Sequence, residues 1–223
     1  MMRRRALLMD TEPTAYITNG LVLWLDGLDR GDTPGIWKDL ISNNDAVLYG
    51  TYTELNNGIN FPGGSPNGYG QFENHLNISR TVGTIEVCVR LTAFDGTGRP
   101  TYCETNGMIG GSIALNAGGS AALRWWNLAS GNQLWLAPAI NSYYLTASGN
   151  NSYGMINGKK ANLNTVSSWG TTLTNPRLGN RGQGNPFIGD FYALRIYNRQ
   201  LSLYEMRNNQ KMDNKRFNLG LNI

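Results

Sequence analysis

Seven Asn-Gly or Asp-Gly dipeptides punctuate this chain. Asn-Gly stands at 19–20, 57–58, 67–68, 106–107 and 157–158, and Asp-Gly at 26–27 and 95–96. These pairs favour the positive φ angles of tight hairpin turns. Between them lie short runs that alternate apolar and polar residues, among them GLVLWLD, TIEVCVRLTAF, AALRWWN, NQLWLAP and GDFYALRIYN. About ten strands at such spacing, with turn signals between them, describe an all-β sandwich or jelly roll. The expected fold is a two-sheet antiparallel jelly-roll sandwich with a short C-terminal helix.

That helix announces itself at Ser202-Leu-Tyr-Glu205, a capping box in which Ser caps backbone N–H groups and Glu reaches back. The helix should run from about Leu203 to Phe217, with Lys and Arg toward its end, where they suit the dipole. The organisation expected is a basic and apolar arm over 1–15, the jelly roll over 16–201, and the helix and tail over 202–223.

Composition agrees with a turn-rich β protein. Gly numbers 28 of 223 residues and charged residues make up only 15%, while 40% are apolar, so disorder is not expected. The net charge of +4 is concentrated at the ends, in Arg3, Arg4 and Arg5 and in Arg207, Lys211, Lys215 and Arg216. A nucleic-acid module usually carries a basic stripe through its body, so no nucleic-acid partner is expected. The apolar run Ala6–Met9 is four residues long, short of the roughly 7–15 of a secretory signal. No stretch reaches the 18 or so apolar residues of a membrane span, and no membrane insertion is expected. Cys88 and Cys103 are too few for a disulfide framework and are read as free thiols, with a lone bridge between them as the lesser alternative.

Several stretches resemble the laminin G-like jelly-roll branch of the concanavalin A-like lectin/glucanase superfamily. GLVLWLDGLDRG and GIWKDLISNNDAVLYG resemble its first strand and Trp-x-Asp-Leu loop. GINFPGG, TIEVCVRL and YGMINGKK resemble later strands and a hairpin, and FIGDFYALRIYNRQLSLYEM resembles its closing signature. The resemblance spans roughly residues 18–210 and implies two curved antiparallel sheets packed face to face. It implies function poorly, because such folds host lectins, adhesion modules, glycanases and structural domains.

The chain is expected to be non-enzymatic. The glucanase branch of that superfamily carries Glu-x-Asp-x-Glu on one strand, and retaining hydrolysis needs two carboxylates about 5 Å apart. TIEVCVRL offers Glu86, Cys88 and Arg90 on one face, a single carboxylate beside a cation that would favour its ionised form. His75 is the only His and has no flanking motif.

Two candidate sites emerge. Asp26, Asp29 and Asp32 in WLDGLDRGD offer hard oxygen ligands that could hold calcium, as laminin G-like domains do at the rim of the sandwich. The favoured reading is that Asp26 and Asp39 serve the backbone of their own turns, with the metal site as the alternative, and Asp190 carries a similar ambiguity. The second site lies in LRWWNLASGNQLWL, read as a hairpin. Leu123, Trp125, Leu134 and Leu136 fall on the core face, and Arg124, Trp126, Gln133 and Trp135 on the other, with Asn127 at its edge. Trp rings beside an Arg and an amide suit sugars, whose C–H groups stack on rings while their hydroxyls bond polar groups. The same face could instead be a subunit interface or plain packing. Trp24, Trp37 and Trp169 read as core or loop anchors.

The expected function is carbohydrate binding or adhesion by a virion surface protein of phage type, a fibre or capsid decoration that contacts host or mucosal glycan. The chain as a whole resembles small laminin G-like proteins encoded among phage structural genes, and the basic arm suits docking onto other virion proteins or copies of itself. A purely structural virion subunit without a glycan ligand, or a bacterial adhesin at the cell surface, are the alternatives.

Overall fold

A computed structural model describes residues 13–74, 76–77, 83–93, 101–103, 109–110, 113–115, 121–123, 135–136, 141–149, 153–162, 172–173, 176–179 and 187–223. Two antiparallel sheets dominate. In the eight-stranded sheet the order is Lys159–Asn162, Tyr153–Ile156, Tyr143–Gly149, Thr84–Leu91, Gly189–Tyr197, Gly58–Phe61 and Thr53–Leu55. Leu21–Asp26 also pairs with Gly189–Tyr197, beyond the end of Gly58–Phe61. The six-stranded sheet runs Ile109–Gly110, Thr101–Cys103, Pro176–Leu178, Tyr69–Phe72, Ala46–Tyr49 and Ile36–Trp37. Two smaller ladders join Ile113–Leu115, Ala121–Leu123 and Trp135–Leu136, and Leu76–Asn77 with Thr172–Leu173. The expected all-β antiparallel architecture with one C-terminal helix is what the chain adopts.

Alternation explains the core. In Thr84–Leu91, Ile85, Val87, Val89 and Leu91 enter the main apolar cluster. Leu23, Leu25, Ile59, Phe61, Phe191, Leu194 and Ile196 join them from the same sheet, and Trp37, Ala46, Leu48, Phe72 and Leu178 from the other. Inner faces of both sheets thus share one core, as in a sandwich. Trp37 is fully buried, its Nε1–H donates to the Asp26 carbonyl at 3.1 Å, and its ring meets Phe191 edge-on. Trp24 is only partly buried, against the second apolar cluster, where Tyr16 meets it edge-on.

The turns follow the sequence in part. At Asn157–Gly158 both residues have positive φ (46° and 76°), as a two-residue hairpin of mirror-image type requires. At 57–58 the turn shifts by one residue: Leu55 pairs with Gly58, leaving Asn56 and Asn57 as the loop. The Tyr69–Phe72 strand, central in the second sheet, was not expected, because Gly70 and Gln71 break its apolar alternation.

The outer face of the eight-stranded sheet is half covered. The helix Leu203–Arg216 and the tail pack there, burying Met206, Asn209, Gln210 and Asp213 on one stripe. Both halves of the capping box at Ser202 and Glu205 form. Cys88 is a free, buried thiol in this layer, beside Leu145, Tyr192, Phe217 and Leu219, and burial pushes its pKa up. Among the described residues no helix is long and apolar enough to cross a membrane.

Candidate functional site

The half of that outer face beyond the helix is open. A register shift between Phe191 and Ala193 shapes it. Phe191 stands opposite Val89 and Ala193 opposite Cys88, so Tyr192 is the extra residue of a bulge. Bulges re-aim side chains and break the two-residue period. Here the bulge leaves Phe191 in the core and keeps Tyr192 and Ala193 together on the outer face, below Asp190.

Around Asp190 three other strands converge. Asn60 Nδ2 donates to Asp190 Oδ1 at 2.7 Å. Tyr192 O–H donates to Oδ2 at 3.3 Å, and Arg90 Nη1 lies 3.5 Å from the same oxygen. Arg90 also donates to Asn141 Oδ1 at 3.1 Å, and its guanidinium sits 5.8 Å above the Tyr143 ring. Tyr143 tilts against Tyr192 at 5.9 Å. These side chains line an open hollow of about 690 Å³ with Asn57 and Leu55 of the neighbouring hairpin. Burial, and then the Asp190 carboxylate, push the Tyr192 phenol well up.

The arrangement is an acceptor between donors, beside an aromatic face. A carboxylate offers about four lone-pair positions. Asp190 Oδ2 holds only long bonds, so it retains accepting capacity. Arg90 is partly exposed through its guanidinium end, while its Nε is buried and without a partner among the described residues. Vicinal hydroxyls, which donate and accept at once, match such a set.

The acidic loop is organised differently. Asp26 is fully buried and accepts from Leu28 N–H at 2.9 Å. Arg216 from the helix donates to Asp26 at 2.7 and 3.2 Å and to Asp29 at 2.6 Å. Burial pushes the Asp26 carboxyl up, against the pull of Arg216. Asp32 is exposed on the rim of a second hollow. Asp39 accepts from the backbone N–H groups of Trp24, Ile41, Ser42 and Asn44. Asp26 and Asp29 therefore converge on a guanidinium, and among the described residues no three acidic, His or Cys side chains gather as a metal ion requires.

Glu86 needs a correction. Its cation is Arg195, at 2.9 Å, and not Arg90. Arg195 also clasps Asp213 of the helix through two nitrogens. Asn209 donates to Glu86 Oε2 at 2.8 Å, while Glu86 Oε1 is buried without a partner among the described residues. Burial outweighs Arg195 and pushes Glu86 up to about 7, the reverse of the expected shift.

Of the aromatic hairpin, Ala121–Leu123 pairs with Trp135–Leu136, with Ala122 opposite Trp135 and Ala121 opposite Leu136. Arg124, Trp126, Asn127 and Gln133 lie outside the described residues, as do His75 and Trp169. The Asp190 hollow escaped sequence reading except for the note on Asp190. Its members come from separate strands, and the signals available were Arg90 in TIEVCVRL and the Gly-Asp pair of the closing signature.

No family model and no curated protein matches the chain. Solved structures do. A sialidase of Trypanosoma rangeli in complex with sialic acid aligns over 90% of this chain and 34% of its own, with a TM-score of 0.66 and 16% identity. The receptor-binding domain of botulinum neurotoxin type G aligns over 87% of this chain and 51% of its own, with a TM-score of 0.59 and 13% identity. A structure of botulinum neurotoxin type C, which depends on interaction with two ganglioside molecules to get into cells, gives 0.57 and 14% over the same shares. This chain spans a third to a half of the chains it matches. The likeness is one of fold, a β-sandwich common to these proteins.

Proposed function

We propose that the chain is a non-catalytic glycan-binding module, with its ligand seated on Asn60, Arg90, Tyr143, Asp190 and Tyr192. The carrying observation is the convergence of an acceptor, two kinds of donor and an aromatic face in one open hollow. Of the similar solved structures, one is a sialidase in complex with sialic acid and another belongs to a toxin whose cell entry depends on gangliosides, which favours a sugar over other hydroxylic ligands. Among the described residues the hollow holds one carboxylate, whereas retaining glycoside hydrolysis of the usual kind uses a pair. A phenol pushed up by burial is also the opposite of what a nucleophile needs.

The setting we propose is that of the sequence resemblance: a laminin G-like module displayed on a phage-type particle. Mass spectrometry of purified particles carrying the protein would test it. The site itself is tested by a glycan-array screen of the full chain, with calcium and with chelator, alongside Asp190→Asn and Tyr143→Ala. Binding by the unaltered protein that both variants lose, and that chelator leaves intact, is the expected result. Binding retained in Asp190→Asn but lost on replacing Trp126 and Trp135 with Ala would move the site to the aromatic hairpin. Binding lost with chelator would restore a metal role to the acidic loop.

A further inference from the structure

The Asp190 hollow does not stand alone. A second hollow of about 690 Å³ lies on the other side of the Thr53–Leu55 and Gly58–Phe61 hairpin, lined by Asp29, Arg30, Asp32, Lys38 and Glu54. Leu55 and Asn56 line both hollows, so the hairpin tip is a low ridge between them. The ridge is held firmly. Arg30 Nη1 donates to the carbonyls of Leu55 and Gly58 at 2.8 and 3.1 Å, and its Nη2 to Glu54 at 3.0 Å. The end of the first strand lies against the ridge as well: a Cβ added to Gly27 would fall 2.1 Å from the Asn57 carbonyl oxygen. A pre-formed surface of this kind loses little freedom when a ligand is laid across it.

Among the described residues the charges lining the two hollows are matched. Arg90 faces Asp190 at 3.5 Å, Arg30 holds Glu54 at 3.0 Å and Arg216 holds Asp29 at 2.6 Å. Lys38 and Asp32 are exposed and of opposite sign. Among the described residues an anionic sugar would meet four carboxylates and no surplus cation, and like charges brought together are costly. Hydroxyls and amides find partners in both hollows.

Resting on the glycan-binding reading above, we infer that the ligand is a neutral oligosaccharide that crosses the ridge at Asn56 and occupies both hollows. A single sugar would occupy part of only one of them. A sialylated or uronate-bearing chain is disfavoured, in contrast to the sialic acid and gangliosides of the proteins that share the fold.

Calorimetry on the full chain tests this, with neutral gluco-, manno- and galacto-oligosaccharides of one to four units, and with lactose against 3′-sialyllactose. In the series that binds, affinity should rise about tenfold or more between one and four units, the gain of one extra set of contacts. Lys38→Ala with Asp32→Ala should shrink that gain to a few-fold. Sialyllactose should bind no tighter than lactose. An affinity that is flat with length, while monosaccharide binding is abolished by Asp190→Asn, overturns this inference and leaves the glycan-binding reading standing. Sialyllactose binding about tenfold tighter than lactose overturns the neutrality argument. Failure of every sugar to bind overturns both readings.

Discussion

The two faces of the eight-stranded sheet are built on opposite principles. Among the described residues the inner face is closed mainly by apolar side chains: Ile85, Val87, Val89, Phe191, Leu194 and Ile196 meet Trp37, Leu48 and Phe72 of the second sheet. The covered half of the outer face is closed by a helix whose buried stripe is Met206, Asn209, Gln210 and Asp213, at the i, i+3, i+4 and i+7 spacing of one side. Three of those four are polar. Asp213 takes Arg195 and the Tyr16 hydroxyl, and Asn209 bonds Glu86, Tyr197 and the Ile17 backbone. Gln210 bonds the carbonyls of Leu145 and Met155 and the Gly158 amide. Apolar burial is non-directional and scales with area. Hydrogen bonds and ion pairs have one good geometry. The inner face therefore supplies stability, and the outer face holds the helix in one register. That register matters to the site, because the helix covers Glu86 and Cys88 and stops short of Arg90.

The difference can be broken most severely at one residue of each face. Phe191→Ala empties the centre of the inter-sheet core and should cost about 3–5 kcal/mol. Arg195→Met leaves Glu86 and Asp213 buried without their cation, and should cost a comparable 3–5 kcal/mol or about that. Urea denaturation distinguishes the mechanisms. A triple replacement of Arg195, Glu86 and Asp213 by apolar residues should recover most of the loss, since a buried ion cluster can be exchanged for packing. No further change restores Phe191→Ala in this way. A triple variant as unstable as Arg195→Met would show that the cluster contributes net stability and not only register.

The polar face also predicts a pH dependence. Glu86 rises from its ordinary 4.5 to about 7 on folding. The folded state then holds a proton more tightly than the unfolded chain. The associated stability is complete below about pH 4.5, declines as pH rises and is gone above about pH 7. Relative to Glu86→Gln, the unaltered protein should lose stability between about pH 5 and pH 7 and run level above that range. A flat difference across the range would mean that Arg195 keeps Glu86 ionised throughout.

The two faces were unequally legible in the sequence. The inner face could be read because alternation is a local signal, and TIEVCVRL carries it in eight consecutive residues. The helix start was equally local, in Ser202 and Glu205. The outer face could not be read, because its contacts join residues far apart in the chain. Arg195 and Glu86 are 109 residues apart, and Asn60 and Asp190 are 130 apart. The bulge at Tyr192 carries no Gly or Pro to mark it, yet it sets which side chains line the hollow. Aromatic density drew attention to LRWWNLASGNQLWL, while the hollow is lined by scattered Asn, Asp, Arg and Tyr residues that look ordinary in sequence.

The smallest effect belongs to the helix start, where the polar face meets solvent. Glu205 accepts from the Ser202 N–H at 2.8 Å and from Arg199 at 2.6 and 3.1 Å, whereas Ser202 Oγ receives the Glu205 N–H at 3.3 Å. The serine's backbone cap is thus the longer bond, while its hydroxyl also donates to Glu205 Oε2 at 2.9 Å. Ser202→Ala should cost about 1 kcal/mol or less, at the low end for a lost cap. The Arg199 contact, before all else, holds the Glu205 carboxyl down at about 2. A carboxyl lowered on folding contributes stability above its ordinary pKa and loses it as pH falls toward the folded value. Between about pH 4.5 and pH 2 the unaltered protein should lose stability faster than Glu205→Gln, opposite in sign to the Glu86 effect. Thermal unfolding of both variants across acid and neutral pH separates the two carboxylates. If Glu205→Gln shows the same acid slope as the unaltered protein, Arg199 does not hold the helix start, and the register of the helix rests on its other contacts, those of Arg195, Asn209, Gln210 and Arg216 among them.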